Sequence, residues 1–223
     1  MTELIGLSGI TVLTQDGSRR ILDGFDLHIE KGSLVLLLGA GGSGKTTLFK
    51  LLAGEQTPER GEVLVGGISV PSLSGGKLAR YRRSLGIVMQ DAPLLENRSA
   101  EEQIMLPLEI EGMSAERRHE RAQAAIERFG LSDARRKLPK ALSMSERQRV
   151  AIARAVVREP LVLLADEPAA HLDANDSKEI ARLLLHENLR GMTVLIGTSD
   201  EHFASYFPET PVRRMESGVG INN

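Results

Sequence analysis

Gly39-Ala40-Gly41-Gly42-Ser43-Gly44-Lys45-Thr46 is the stretch on which the fold turns. It fits the pattern G-x-x-x-x-G-K-[ST], and its setting fits as well. The continuous apolar run Leu34–Leu38 stands before it and reads as a strand buried on both faces. A helix is predicted after it, from Lys45 to Ala53, closed by Gly54. Glycines let successive backbone N–H groups turn inward and wrap phosphate oxygens. The helix start adds its own N–H donors and the positive end of its dipole. Gly39, Ala40, Gly41, Gly42, Ser43, Gly44, Lys45, Thr46 and Thr47 are therefore the candidate nucleotide-binding residues. Lys45 is placed to reach the β- and γ-phosphates, and the Thr46 hydroxyl to ligate Mg²⁺.

Outward from this loop, strands and helices alternate. Leu4–Leu13 and Ile21–Glu30 read as strands, joined at the turn Gln15-Asp16-Gly17-Ser18, with Phe25, Leu27 and Ile29 in period two. Glu62–Val65 and Gly86–Met89 are further short strands. On the other side, a helix is expected over Glu146–Val157, stopped by Pro160. The strand Leu161–Ala165, the helix Ala174–Leu189 and the strand Thr193–Gly197 follow, and Pro211–Met215 reads as an edge strand. Asp166 and Glu167 close the strand Leu161–Ala165. A carboxylate there can hold the water shell of Mg²⁺, and its neighbour can orient an attacking water. The pattern indicates a largely parallel sheet with helices on both faces.

Residues 92–142 differ in character. Glu101–Leu108 and Ala115–Phe129 have helical spacing, with Ser114 as N-cap. Basic residues gather there, among them Arg117, Arg118, Arg121 and Arg128, and read as a solvated helix face. The fold class expected is α/β: a P-loop NTPase core with a mostly parallel sheet and an N-terminal antiparallel β part. Residues 1–91 and 143–223 form the core and 92–142 a helical lobe inserted into it, all within one domain.

Composition narrows the function. The 223 residues carry 28 Lys and Arg against 30 Asp and Glu, so no basic excess exists to hold a nucleic acid. The absence of cysteine removes a disulfide scaffold, a Cys-based zinc site and a thiol nucleophile, and fits a reducing compartment. Five Phe, two Tyr and no Trp make a base-stacking sheet a poor candidate. No basic start or long apolar run marks the N-terminus as a signal peptide. Apolar runs reach five residues, as in Leu34–Leu38, where a membrane span needs about 20. Any membrane role is expected to come through a partner.

The order of further motifs resembles the ATP-binding-cassette (ABC) ATPases along nearly the whole chain. Gln90, in Met89-Gln90-Asp91, is similar to the family's Q-loop glutamine. Leu142-Ser143-Met144-Ser145-Glu146 stands where the family has its LSGGQ-type signature, Leu163–Pro168 matches the strand with the Mg²⁺ carboxylate and catalytic glutamate, and His171-Leu172-Asp173 matches the D-loop. No N-K-x-D for guanine recognition is present. Leu85–Leu95, Ala153–Val157 with Pro160, and Leu163–Pro168 look most like the exporter and envelope-machine branch that includes LolD, MacB and FtsE. The resemblance implies ATP and Mg²⁺ as ligands. It implies Glu167, Gln90 and Ser199 in catalysis, Thr46, Gln90 and Asp166 around the metal, and Ser143 and Ser145 capping a partner's nucleotide. It further implies a dimer, and an integral-membrane permease of the FtsX, LolCE or MacB kind, docked between core and lobe near Gln90–Gln103. The place implied is the inner face of the cell membrane.

Three departures matter. Met144 and Ser145 replace the signature glycines, Ser199 replaces the switch histidine, and the aromatic that stacks on adenine is missing, with Val12 or Leu13 near its place. His171 and His202 are nearby imidazoles, read as surface residues. The altered signature and switch share one chain, so a heterodimer would distribute the faults over both sites. That favours a homodimer over a heterodimer. Two functions stay open: a slow ATPase, and a hydrolysis-deficient ATP-gated binding subunit.

Overall fold

The computed structural model describes residues 2–90 and 93–216, and the backbone of 219–220. Asp91 and Ala92, where the Q-loop motif ends and the lobe is expected to open, lie outside the described residues.

Two sheets organise the chain. In the first, β1 (Glu3–Leu13) runs antiparallel to β2 (Arg20–Glu30) on one side and β4 (Arg60–Val65) on the other, with β5 (Ile68–Ser69) beyond β4. The second contains β3 (Leu34–Leu38), β6 (Leu85–Val88), β7 (Val162–Asp166), β8 (Thr193–Thr198), β9 (Val212–Glu216) and β10 (Val219–Gly220). Its order is β10-β9-β3-β8-β7-β6, parallel throughout except where β10 turns back on β9. The expected edge strand over 211–215 is corrected: β9 sits inside the sheet, between β3 and β10.

The five apolar residues of β3 are explained by what covers each face. Leu34, Leu36 and Leu38 face a core shared with Leu163, Val194 and Ile196 and with helices. Those helices are α3 (Ala100–Ile110), α4 (Ala115–Arg128), α5 (Met144–Val156) and α6 (Ala174–Leu189). Val35 and Leu37 face a second core, with Leu48, Phe49 and Leu52 of α1 (Lys45–Leu52) and the inner faces of β1, β2 and β4. A strand of period two with both faces covered has no polar position left.

One helix start and one helix cap differ from expectation. α5 begins at Met144, not Glu146, because Ser143 and Glu146 form a capping box. Glu146 N–H donates to Ser143 Oγ at 3.1 Å, and Ser143 N–H to the Glu146 carboxylate at 2.8 Å. Ser114 does occupy the N-cap of α4 but its side chain makes no capping bond, whereas Ser99 and Glu102 form a full box on α3. α2 (Gly75–Arg83) and α7 (Glu201–Ala204) are additional helices. No helix among the described residues is long and apolar enough to cross a membrane.

Candidate functional site

β3 delivers the chain into the phosphate loop at the C-terminal edge of the sheet. Gly44 caps α1 in the left-handed region at φ 100°, and an added Cβ there would fall 2.8 Å from Leu22 Cδ2. Lys45 follows, 5% exposed. Its Nζ donates to Gly39 O at 2.6 Å and Ala40 O at 3.2 Å, and lies 3.4 Å from Glu167 Oε1.

Beside it, Thr46 Oγ1 donates to Asp166 Oδ2 at 2.6 Å. Asp166 ends β7 fully buried, and its Oδ1 has no hydrogen-bond partner. Gly197 of the neighbouring strand makes the room: a Cβ on it would lie 3.2 Å from that oxygen and 2.6 Å from Phe49 Cε2. Burial pushes the Asp166 carboxyl above the usual range, and the Thr46 hydroxyl opposes this. A hydroxyl and a buried carboxylate with one unpartnered oxygen are a hard-oxygen set. That set suits Mg²⁺ held mainly by phosphate and water. Among the described residues no group of three or more His, Cys, Asp or Glu could hold a metal alone.

Glu167 adopts φ 48°, an uncommon conformation for a residue with a side chain, and its N–H donates to Gly197 O at 2.8 Å. Its Oε2 accepts from Ser199 N–H at 3.1 Å and from Thr198 Oγ1 at 3.3 Å. Ser199 thus touches Glu167 through its backbone, not its hydroxyl.

The expected site residues divide into three places. Gly41, Gly42, Gly44, Lys45, Thr46, Thr47, Gln90 and Glu167 line one cavity of about 250 Å³. Gly39, Ala40, Ser43 and Ser199 line a neighbouring one of about 430 Å³, next to Arg214 and Met215 of β9. Ser43 is buried there with its hydroxyl unpartnered. Ser143 and Ser145 line neither: Ser143 is engaged in capping α5 and Ser145 is buried, while Met144 stands exposed. Gln90 also lines a third hollow of about 580 Å³, whose walls include Pro93, Leu94, Leu138, Lys140, Met144 and Arg147.

His202 does not turn into the site. Its Nε2 lies 2.9 Å from Tyr206 Oη, which also donates to Ala174 O. His171 is exposed at φ 66°. Val12, on β1, is buried in the second core, and neither Val12 nor Leu13 lines the phosphate-loop cavity. Arg19 and Ile21 line it instead. Sequence reasoning passed over both, since two arginines after a polar turn carry no motif.

The profile of the ABC transporter family matches residues 22–170. The cell division ATP-binding protein FtsE of Mycobacterium tuberculosis is 39% identical over 199 residues, covering 89% of this chain and 86% of that protein. The lipoprotein-releasing system ATP-binding protein LolD of Bacteroides thetaiotaomicron is 37% identical over 210 residues, covering 93% and 95%. A dimeric bacterial ABC transporter cassette superposes with a TM-score of 0.88 at 30% identity, covering 98% of this chain and 97% of that one. A dimeric post-hydrolysis cassette bound to ADP and Pi gives the same values.

Proposed function

The chain belongs to the ABC transporter family, and we propose that it binds ATP·Mg²⁺ at Gly39–Thr47, hydrolyses it slowly, and drives an integral-membrane permease. The observation that carries this reading is the convergence of Lys45, Thr46, Asp166 and Glu167 at the start of α1. Lys45 and the loop N–H groups hold the β- and γ-phosphates. Thr46 and Asp166 hold Mg²⁺, which when bound neutralises charge on the phosphate oxygens. Glu167, steadied by Thr198 and the Ser199 N–H, orients water in line with the γ-phosphorus. Gln90, which lines the same cavity, takes part beside them.

Two copies form the working unit, the exposed start of α5 at Ser143 and Met144 facing the other copy's nucleotide. The permease, of the FtsX, LolCE or MacB kind, docks in the hollow between Gln90, Leu94, Lys140 and Met144. Gln90 lines both that hollow and the phosphate cavity, which supports passage of the nucleotide state to the partner. The subunit sits peripherally on the inner face of the cell membrane through that partner, with residues 92–142 as a helical lobe beside the core.

One observation favours a clamp that binds ATP with negligible turnover: Ser199 offers Glu167 a backbone N–H, and among the described residues no imidazole lines the site. Calorimetry and phosphate release together separate the readings. ATP·Mg²⁺ binds wild type, and Lys45→Ala weakens binding by at least about tenfold through loss of the charge-assisted contacts. Equal affinities would sink the phosphate-loop assignment. Binding without phosphate release leaves the clamp.

A further inference from the structure

The phosphate-loop cavity has one wall that the groups named for hydrolysis leave unused. Arg19 and Ile21 form it. The turn that carries them is fixed by its own hydrogen bonds. Asp16 accepts from Thr14 Oγ1 at 2.5 Å, from Ser18 Oγ at 2.7 Å and from Ser18 N–H at 3.1 Å. Thr14 N–H donates to Arg19 O at 2.8 Å, and Arg19 N–H to Thr14 Oγ1 at 3.2 Å. Ile21 is tied to the start of α1: its Cγ2 would be 3.5 Å from a Cβ on Gly44. Arg20 directs its guanidinium to Asp23 at 2.6 Å. Arg19 is exposed, and its guanidinium makes no hydrogen bond or ion pair with a described residue. Its backbone is held while its charged head is free.

A triphosphate seated on Lys45 and the loop N–H groups leaves its sugar and base to run along the remaining wall. No aromatic ring lines that cavity among the described residues. The nearest chemistry able to meet a planar base is the Arg19 guanidinium, which is itself planar and stacks on aromatic faces. Ile21 adds an apolar surface and no polar atom.

Building on the ATP-site reading above, we propose that Arg19 is the nucleobase contact, stacked on the purine with Ile21 beside it, and that this site accepts GTP as readily as ATP. Stacking does not distinguish the purines, since each presents a π-face. A guanidinium stacked on the ring points its N–H donors parallel to the base plane, so it does not tell guanine's O6 and N7 from adenine's amino group and N7. Among the described residues no side chain on that wall reads the edge of the base, so none there rejects guanine.

The test is calorimetry of ATP, GTP and inorganic tripolyphosphate, each with Mg²⁺, on wild type and Arg19→Ala. GTP is expected to bind wild type within about threefold of ATP. Arg19→Ala should weaken both nucleotides by about threefold or more, the usual worth of an exposed cation–π contact, and leave tripolyphosphate unchanged. Arg19→Tyr, which keeps a stacking face without the guanidinium, should hold the affinity for both nucleotides. A wild-type preference for ATP beyond that threefold overturns the proposal, as does an Arg19→Ala variant that binds both nucleotides normally. Equal weakening of tripolyphosphate makes Arg19 a phosphate contact and overturns it too. Lys45→Ala keeps the two levels apart: tripolyphosphate binding that survives it removes the phosphate-loop reading itself, whatever Arg19 does.

Discussion

Lys45 and Glu167 meet across the phosphate loop at 3.4 Å, with 5% and 14% of their side chains exposed. Lys45 also donates to Gly39 O and Ala40 O, so the loop satisfies its own cation. In the proposed reading an arriving phosphate takes Lys45 over. Glu167 then loses its counter-charge but keeps Thr198 and the Ser199 N–H. Seating the nucleotide and freeing the carboxylate for water are one exchange.

Glu167→Gln separates the two halves of that exchange. The amide still fills the space, but it cannot take up a proton from water as a carboxylate can. Steady-state phosphate release should fall by at least about a hundredfold, the usual worth of a positioned base. ATP should remain bound, as read by calorimetry. Unchanged release would remove Glu167 from the reaction.

Restoring the family's residues should raise the rate. Ser199 holds Glu167 through its backbone, so Ser199→His can add an imidazole without dropping that contact. Met144 is 55% exposed at the first turn of α5, where glycine permits closer approach of the other copy's phosphate. One preorganised donor is typically worth on the order of 10²–10³ in rate. Ser199→His with Met144→Gly should therefore increase phosphate release at saturating ATP in the permease complex. Adding Ser145→Gly should contribute less, because Ser145 is buried. Wild-type release already matching the doubly substituted chain would refute slow turnover.

Gly39→Ala should damage both stability and binding. The added Cβ would fall 2.4 Å from Met215 O and 2.7 Å from Ser43 Oγ. The first is backbone of β9 and cannot turn aside, so the phosphate loop must move. Overpacking of this kind costs about 1–3 kcal/mol. Thermal unfolding should come several degrees lower, roughly 2–4 °C per kcal/mol for a chain of this size. ATP affinity should fall with it. A variant with wild-type melting and binding would show that β9 yields.

The turn before Arg19 carries a pH signature. Hydrogen bonds from the Thr14 and Ser18 side chains and the Ser18 N–H lower the Asp16 pKa from 3.8 to about 2. A depressed carboxylate supports the folded turn fully above 3.8 and loses that support as pH falls toward about 2. At pH 3.8 an ordinary aspartate is half protonated, while Asp16 should be almost wholly ionised. A side-chain carboxyl NMR titration checks this, and a midpoint at the ordinary value would mean the turn is open in solution.

How legible all this was from residues alone depends on what each element shows of itself. β3 and α6 are found with the bounds read from sequence, since one is an unbroken apolar run and the other starts at an aspartate cap. α2 was invisible: it opens on Gly75-Gly76, is otherwise mostly cationic, and is anchored by Tyr81, whose hydroxyl donates to Leu52 O at 2.5 Å. Such anchoring is tertiary and leaves no periodicity. The start of α5 is readable in principle, because Ser143 and Glu146 have capping-box spacing. In the site, the Lys45–Thr46 and Asp166–Glu167 pairs declare their chemistry by type and order. Arg19 and Ile21 become neighbours of the phosphate loop only through the packing of β2 on α1, and no local pattern announces that.

The strand order has a consequence for how the protein is made. β3 lies between β8 and β9, so both neighbours of the strand that carries the phosphate loop come from residues 193–216. A nascent chain that has not yet extended past Thr193 holds Leu34–Leu38 as a bare apolar ribbon with both hydrogen-bonding edges open, a template for pairing with other chains. Asp166 and Glu167 likewise lack Gly197, Thr198 and Ser199 until that strand emerges. Emergence of residues 193–216, rather than of the loop itself, is the moment at which this chain first becomes able to hold a nucleotide.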